Sequence, residues 1–235
     1  LKSRTVKGIV LALDLRGFTK LKQTLSPDTF REFLQSYHRH IAASIGQQQG
    51  YLMKTSGDGH LAVFGVFDEE PDLSDIPGLE DELQSAQARR RTYYFKKANA
   101  CFDQIVDGFA EILQKYQIKQ DLKIGAAIDY GDIETLLLGD EAHKHEVDIA
   151  GEVVIRCVRL ESYTKLLINL KKLESCILIA SPEFESECSE TQHKFIRWQT
   201  DEPNLCVRDF SDIKFIFYKV LAIKSQPSRI FSKVA

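Results

Sequence analysis

The chain predicts an α/β fold, an α+β sandwich with a ferredoxin-like βαββαβ core whose sheet is extended by further strands. Three observations lead there. The apolar run VKGIVLAL at 6 to 13 is followed by a segment of helical period; two short β-rich segments meet at Ser56-Gly57-Asp58-Gly59; and a second helical segment leads into LKIGAAID. Strand, helix, hairpin, helix, strand is the order of that sandwich.

Residues 6 to 13 read as a central strand covered on both faces, ending at Asp14. Ser26 and Pro27 are an N-cap and a first helical residue, and Phe30, Leu34, Tyr37, Ile41 and Ile45 mark one apolar face, with Arg31, Gln35 and Arg39 off it. Gly46 and Gly50 close that helix. Strands near 51 to 56 and 60 to 66 are joined by a tight turn of hairpin type that carries Asp58. An acidic surface loop is expected at 67 to 85, rich in Asp and Glu with Pro71 and Pro77. The run Arg89-Arg90-Arg91 suits either a solvated helix face or a phosphate or partner patch. Cys101, Phe102, Ile105, Phe109, Ile112, Leu113 and Tyr116 outline a second amphipathic helix from about 97 to 117. LKIGAAIDYGDIETLLLG reads as two strands around Tyr130-Gly131-Asp132. A third helix is expected at 152 to 168 and strands at 176 to 180, 193 to 199 and 213 to 222.

Composition narrows the function classes. With 235 residues, 43% of them hydrophobic, the chain suits one domain spanning 1 to 235. A net charge of -3 argues against a nucleic-acid partner bound by broad phosphate neutralisation. No segment approaches the roughly 18 apolar residues of a membrane span, and LKSRTVKG lacks the apolar stretch of a signal peptide. A soluble, cytoplasmic protein with no membrane partner is expected. Five scattered cysteines without a CxxC pair fit a reducing compartment and argue against zinc. His38 and His40, and likewise His143 and His145, have a ligating HxH spacing but no further ligands nearby, so both pairs read as surface residues, and Trp198 as packing.

The chemistry concentrates at Asp14 and Asp58. Each ends an apolar, β-rich run beside a glycine, and a strand end and a hairpin tip can meet at one edge of a sheet. Two carboxylates there suit Mg²⁺, which completes its shell with water and substrate phosphates. Taken singly, Asp14 also suits a residue capping the turn at Arg16-Gly17, and Asp58 an ordinary hairpin residue.

The letters around the pair resemble a family. LDLRGFTKL and KTSGDGHLAVFG are similar to the two metal motifs of the class III nucleotidyl cyclases, and LKIGAAIDYGDIETLLLGDEAHKHEVDIAGEVVIRCVRLES is similar to that family's later segment. The resemblance covers roughly 6 to 66 and 97 to 165. It implies a head-to-tail homodimer with sites shared between subunits, and two Mg²⁺ or Mn²⁺ per site held by Asp14, Asp58 and the carbonyl of Leu15. Gly17, Phe18 and Thr19 would cradle the β- and γ-phosphates of a nucleoside triphosphate. Arg159 takes the place of the transition-state arginine, with Arg156 as its decoy, and Lys54 and Asp148 the places that read the base. Ile155 stands where the family has a ribose-orienting asparagine, with Cys157 and Val158 in place of small residues. Lys214 and Arg208 are candidates for the lysine that grips the terminal phosphate.

The activity implied is conversion of a nucleoside triphosphate to a 3',5'-cyclic nucleotide and pyrophosphate. Lys54 and Asp148 complement adenine, which points to ATP. The bare architecture and Ile155 look like the stand-alone bacterial pyrimidine cyclases of anti-phage defence, which make cyclic UMP or cyclic CMP for a separate effector, and this resemblance leans the expectation to UTP or CTP. Tyr51 suits either a wall against a purine or an ordinary strand aromatic. The competing class is a degenerate cyclase domain that binds a nucleotide as a regulatory module.

Overall fold

The structure, a computed structural model, describes residues 4–68, 80–138, 146–190, 195–200 and 207–223. Its elements run β1 (Arg4–Arg16), α1 (Phe18–Thr24), α2 (Pro27–Gln47), β2 (Gly50–Ser56), β3 (Gly59–Phe64), α3 (Glu80–Lys115), β4 (Lys123–Leu138), β5 (Glu146–Ala150), α4 (Glu152–Lys171), β6 (Cys176–Ala180), α5 (Glu185–Glu190), β7 (Ile196–Gln199) and β8 (Phe215–Leu221). One sheet carries the strands in the order β2-β3-β1-β4-β6-β8-β7, with β5 also paired to β4. The first four strands, β2-β3-β1-β4, are antiparallel neighbours in the ferredoxin-like order.

β1 sits mid-sheet because both of its faces are apolar. Leu11, Leu13 and Leu15 join the core under α2 and α3, whereas Val10 and Ala12 join the one under α4. Each fully buried aliphatic side chain contributes about 1.5–3 kcal/mol of transfer free energy. The even-numbered face continues past Ala12 to Asp14 and Arg16, so the period-2 pattern that builds the core also aims these two charges toward α4. On α2, Ser26 caps Thr29 N, and the buried residues are Phe33, Tyr37, Ile41, Ser44 and Ile45. The expected face is rotated slightly, with Phe33 inside and Phe30 and Leu34 half-buried.

Four expectations are corrected. LKIGAAIDYGDIETLLL is one strand, β4, paired along β1 from Arg16↔Lys123 to Arg4↔Thr135. Gly131 makes no turn; it pairs with Gly8, and a Cβ there would lie 3.2 Å from Val153 Cβ, so its lack of a side chain admits α4 to the sheet. The acidic segment does not stay a loop to 85, nor does the second helix begin near 97. α3 starts at Glu80, since acidic residues suit a helix's first turn as well as a loop; 69–79 lie outside the described residues. The arginine run is a solvated face only at Arg89, which is exposed and donates to Ser85 Oγ on its own helix at 3.0 Å; Arg90 donates to the Gly65 carbonyl at 2.6 Å and Arg91 to Glu187 Oε1 at 2.9 Å, so these two tie α3 to other elements. His38 and His40 are not surface residues, because His38 Nδ1 meets His60 Nε2 at 2.7 Å and His40 Nε2 meets the Ile105 carbonyl at 3.1 Å. His143 and His145 lie outside the described residues.

β5 and α5 were not expected from the sequence. Cys101, Cys157, Cys176 and Cys188 are buried, and burial pushes each thiol up. Among the described residues no helix is long and apolar enough to cross a membrane.

Candidate active site

Asp14 lies on the even-numbered face of β1, one residue past the last pair with β3 (Leu13↔His60), half-buried beside the β2–β3 turn. Gly59 belongs to that turn, and a Cβ there would stand 3.5 Å from Asp14 Oδ1. Gly57 turns the chain with φ 63°, and Asp58 follows it. The Asp58 carboxyl is pushed up to about 6, first by burial and then by the negative charge of Asp14, whose carboxylate is within hydrogen-bonding reach. Two like-charged oxygen donors drawn together at this cost are a set that a hard divalent cation fits. Mg²⁺ and Mn²⁺ match the carboxylates better than a softer ion.

Around them opens a cleft of about 590 Å³, bordered by Asp14, Leu15, Gly17, Phe18, Thr19 and Asp58 on one side and by Lys165 and Asn169 of α4 on another. Gly17 has φ 91° and ψ 1°, and a Cβ there would approach Leu122 to 2.9 Å, so the β1–α1 corner requires glycine. No side chain caps α1, so its first amides have no side-chain acceptor.

α4 closes the cleft with a chain of polar contacts. Arg16 donates to Asp14 Oδ2 at 2.8 Å, to the Glu161 carbonyl at 3.0 Å and to Thr164 Oγ1 at 2.8 Å, and it also pairs with the Glu161 carboxylate. Burial pushes Glu161 up to about 7, opposed by the Arg16 guanidinium. Two residues earlier, Arg159 faces elsewhere, pairing with Asp209 at 2.9 Å. At about 100° per residue, positions 159 and 161 point to nearly opposite sides of the helix. Arg156 is committed to structure: it donates to Asp129 at 2.6 and 3.0 Å, and the Asp129 side chain is fully buried.

The adenylate and guanylate cyclase catalytic-domain model matches residues 3–193. The chain belongs to that family. It is a nucleotidyl cyclase domain, and its class of enzyme is the phosphorus-oxygen lyases. Among solved structures it is similar to the adenylyl cyclase CyaB from P. aeruginosa, at 18% identity and a TM-score of 0.69 over 95% of this chain and 98% of that one. The guanylyl cyclase Cya2 is 19% identical, with a TM-score of 0.65 over 97% and 98%. The guanylate cyclase domain of RhGC from Catenaria anguillulae in complex with GTP is 18% identical, with a TM-score of 0.58 over 95% and 100%. No curated protein matches the sequence.

Within the cyclase domain, Lys54 lines a cavity of about 250 Å³ together with Asp14, Ser56, His60, Val158 and Glu161. A register shift between Leu52 and Lys54 places Tyr51 opposite Val63 and Lys54 opposite Leu61, so both occupy one face of the sheet. Tyr51 nevertheless borders a separate cavity with Tyr93 and Tyr94, its ring 4.9 Å from Phe67. Asp148 lies on β5 opposite Leu136 and accepts from Ile149 N at 2.8 Å. Ile155 and Val158 are exposed apolar residues of α4, at 55% and 40%. Lys214 donates to the Ser211 carbonyl at 3.0 Å and Arg208 lies 3.6 Å from Asp209; neither borders the Asp14 cleft. Sequence reasoning missed Arg16 and Glu161, whose signal was present in DLRGF and RLES, beside the motif residues themselves.

Proposed function

We propose that this domain cyclises a nucleoside triphosphate, with UTP or CTP preferred, at a site completed by a second copy of the chain. What carries the reading is the arrangement of α4: Glu161 leans toward the Asp14 carboxylate through Arg16, while Arg159 points away from it. A charge-stabilising arginine so placed reaches a nucleotide held by another subunit more readily than its own, as expected of a head-to-tail homodimer.

Asp14, Asp58 and the Leu15 carbonyl would hold two Mg²⁺ or Mn²⁺, which when bound acidify the ribose 3'-hydroxyl and offset charge on the leaving pyrophosphate. The corner at Gly17, Phe18 and Thr19 would receive the β- and γ-phosphates with main-chain amides. The 3'-oxygen attacks the α-phosphorus in line, the bond from that phosphorus to the bridging oxygen of the β-phosphate breaks, and pyrophosphate leaves. Arg159 of the partner subunit supplies a fixed, always-charged fork for the α-phosphoryl oxygens as that bond changes hands. Lys54 and Asp148 would read the base.

The pyrimidine preference rests on Ile155, which puts an apolar side chain where a ribose-orienting amide is expected, and on the small cavity at Lys54. Tyr51, which borders a separate cavity, would act as a wall only against a base that extends beyond the Lys54 cavity. By resemblance, the product would be a signal to a separate effector in anti-phage defence. The second reading is ATP, favoured by Lys54 and Asp148 as donor and acceptor for adenine. Incubation with each of ATP, GTP, CTP and UTP plus Mn²⁺, followed by mass identification of products, tests both. Cyclic UMP or cyclic CMP supports the first reading and cyclic AMP the second. Binding without turnover of any of the four would leave a regulatory module instead.

A further inference from the structure

The proposed site has donors for the α-phosphoryl group and amides at the Gly17 corner, but the far end of a triphosphate needs a cation too. Lys214 and Arg208 do not border the Asp14 cleft. The second half of α4 does. Lys165, Ile168 and Asn169, spaced i, i+3 and i+4, present one face of the helix to the cleft that holds Asp14 and Asp58. Lys165 is exposed, and no hydrogen bond or ion pair engages it among the described residues. Two other lysines border the cleft: Lys20 on α1, which is exposed like Lys165, and Lys123, whose side chain is 12% exposed and paired with Asp121, itself on the cleft.

We propose that Lys165, with the Asn169 amide beside it, binds the terminal phosphates of the nucleotide held by its own chain's Asp14 and Asp58, and retains pyrophosphate after cyclisation. This rests on the reading of the cleft as a triphosphate site. A lysine suits the role because it is a compact, strongly charged donor on a flexible stem, able to follow the phosphate as the α–β bond lengthens. α4 then serves two sites at once: Arg159 reaches the partner's nucleotide, and Lys165, six residues on, grips the nucleotide of its own chain.

That division of labour gives a test no general structural role would reproduce. In a mixture of Asp14→Ala and Arg159→Ala chains, the one competent site of each heterodimer takes its Asp14 half from the Arg159→Ala chain. Adding Lys165→Ala to the Arg159→Ala chain should raise KM about tenfold or more, the loss expected for one charged hydrogen bond. Adding it to the Asp14→Ala chain should leave KM where the parent mixture has it. Equal KM from the two placements overturns the proposal, as does failure of Lys165→Arg to restore KM. If the wild-type chain cyclises no nucleotide, the functional reading falls but Lys165 stays testable by calorimetry with inorganic tripolyphosphate and Mn²⁺. A tenfold weaker affinity in Lys165→Ala supports the assignment, and an unchanged affinity overturns it.

Discussion

Arg156 and Arg159 lie within one turn of each other on α4, yet substituting them should do opposite things. Arg156→Met strands the buried Asp129 carboxylate, whose pKa burial already raises against the pull of Arg156. The loss of stability should be about 3–5 kcal/mol, read as a lower thermal midpoint. Arg159→Ala breaks a contact with a half-exposed aspartate, so the protein should melt normally while cyclisation falls about a thousandfold or more. A loss below tenfold would reject the transition-state role. Asp58 adds a pH dependence with a definite sign. Its folded carboxyl titrates near 6 against an ordinary 3.8, so in the metal-free protein its stabilising contribution is present below about 4 and is lost as pH rises through 6. Mn²⁺ needs the ionised form, so the rise in thermal midpoint on adding Mn²⁺ should grow between pH 5 and about 7. Asp58→Asn should flatten that trend.

Between elements, the α2–α3 contact is set by a missing side chain. A Cβ at Gly108 would fall 2.2 Å from His40 Cε1, so Gly108→Ala must push the ring off the Ile105 carbonyl. Urea unfolding should report a loss of about 1–3 kcal/mol, without change in Mn²⁺ affinity at the candidate Asp14–Asp58 site on the far side of β1. The same glycine logic marks what sequence could tell. β1 was legible from its apolar run, α2 from an apolar period that agrees with its Ser26 cap, and the β2–β3 hairpin from its turn residues; α4 was expected at the right place too, although Gly151 gives it no side-chain cap. β4 was misread because Tyr130-Gly131-Asp132 has the letters of a turn, whereas Gly131 is glycine to let Val153 in. The one-residue register shift between Leu52 and Lys54 was invisible too, since a bulge shows in pairing and not in composition. Asp14 and Asp58 were found because each follows an apolar, β-rich run and stands within three residues of a glycine that turns the chain, Gly17 for one and Gly57 for the other. Arg16 and Glu161 were missed because a buried ion pair has no period of its own.

For the assembled molecule, mixing decides whether the site is shared. Neither Asp14→Ala nor Arg159→Ala alone should cyclise appreciably. An equal mixture should recover about a quarter of wild-type activity, because half the dimers are heterodimers and each has one complete site of two. No recovery would place both halves in one chain. The opposed faces of α4, Arg159 on one and Glu161 on the other, carry this further. If every turnover requires two chains, the rate per chain depends on how many have met. Well below the dissociation constant of the dimer, halving the protein should cut total output about fourfold, whereas above it the response is linear. Abundance then becomes an input in its own right, and a cell could silence the reaction by dilution alone.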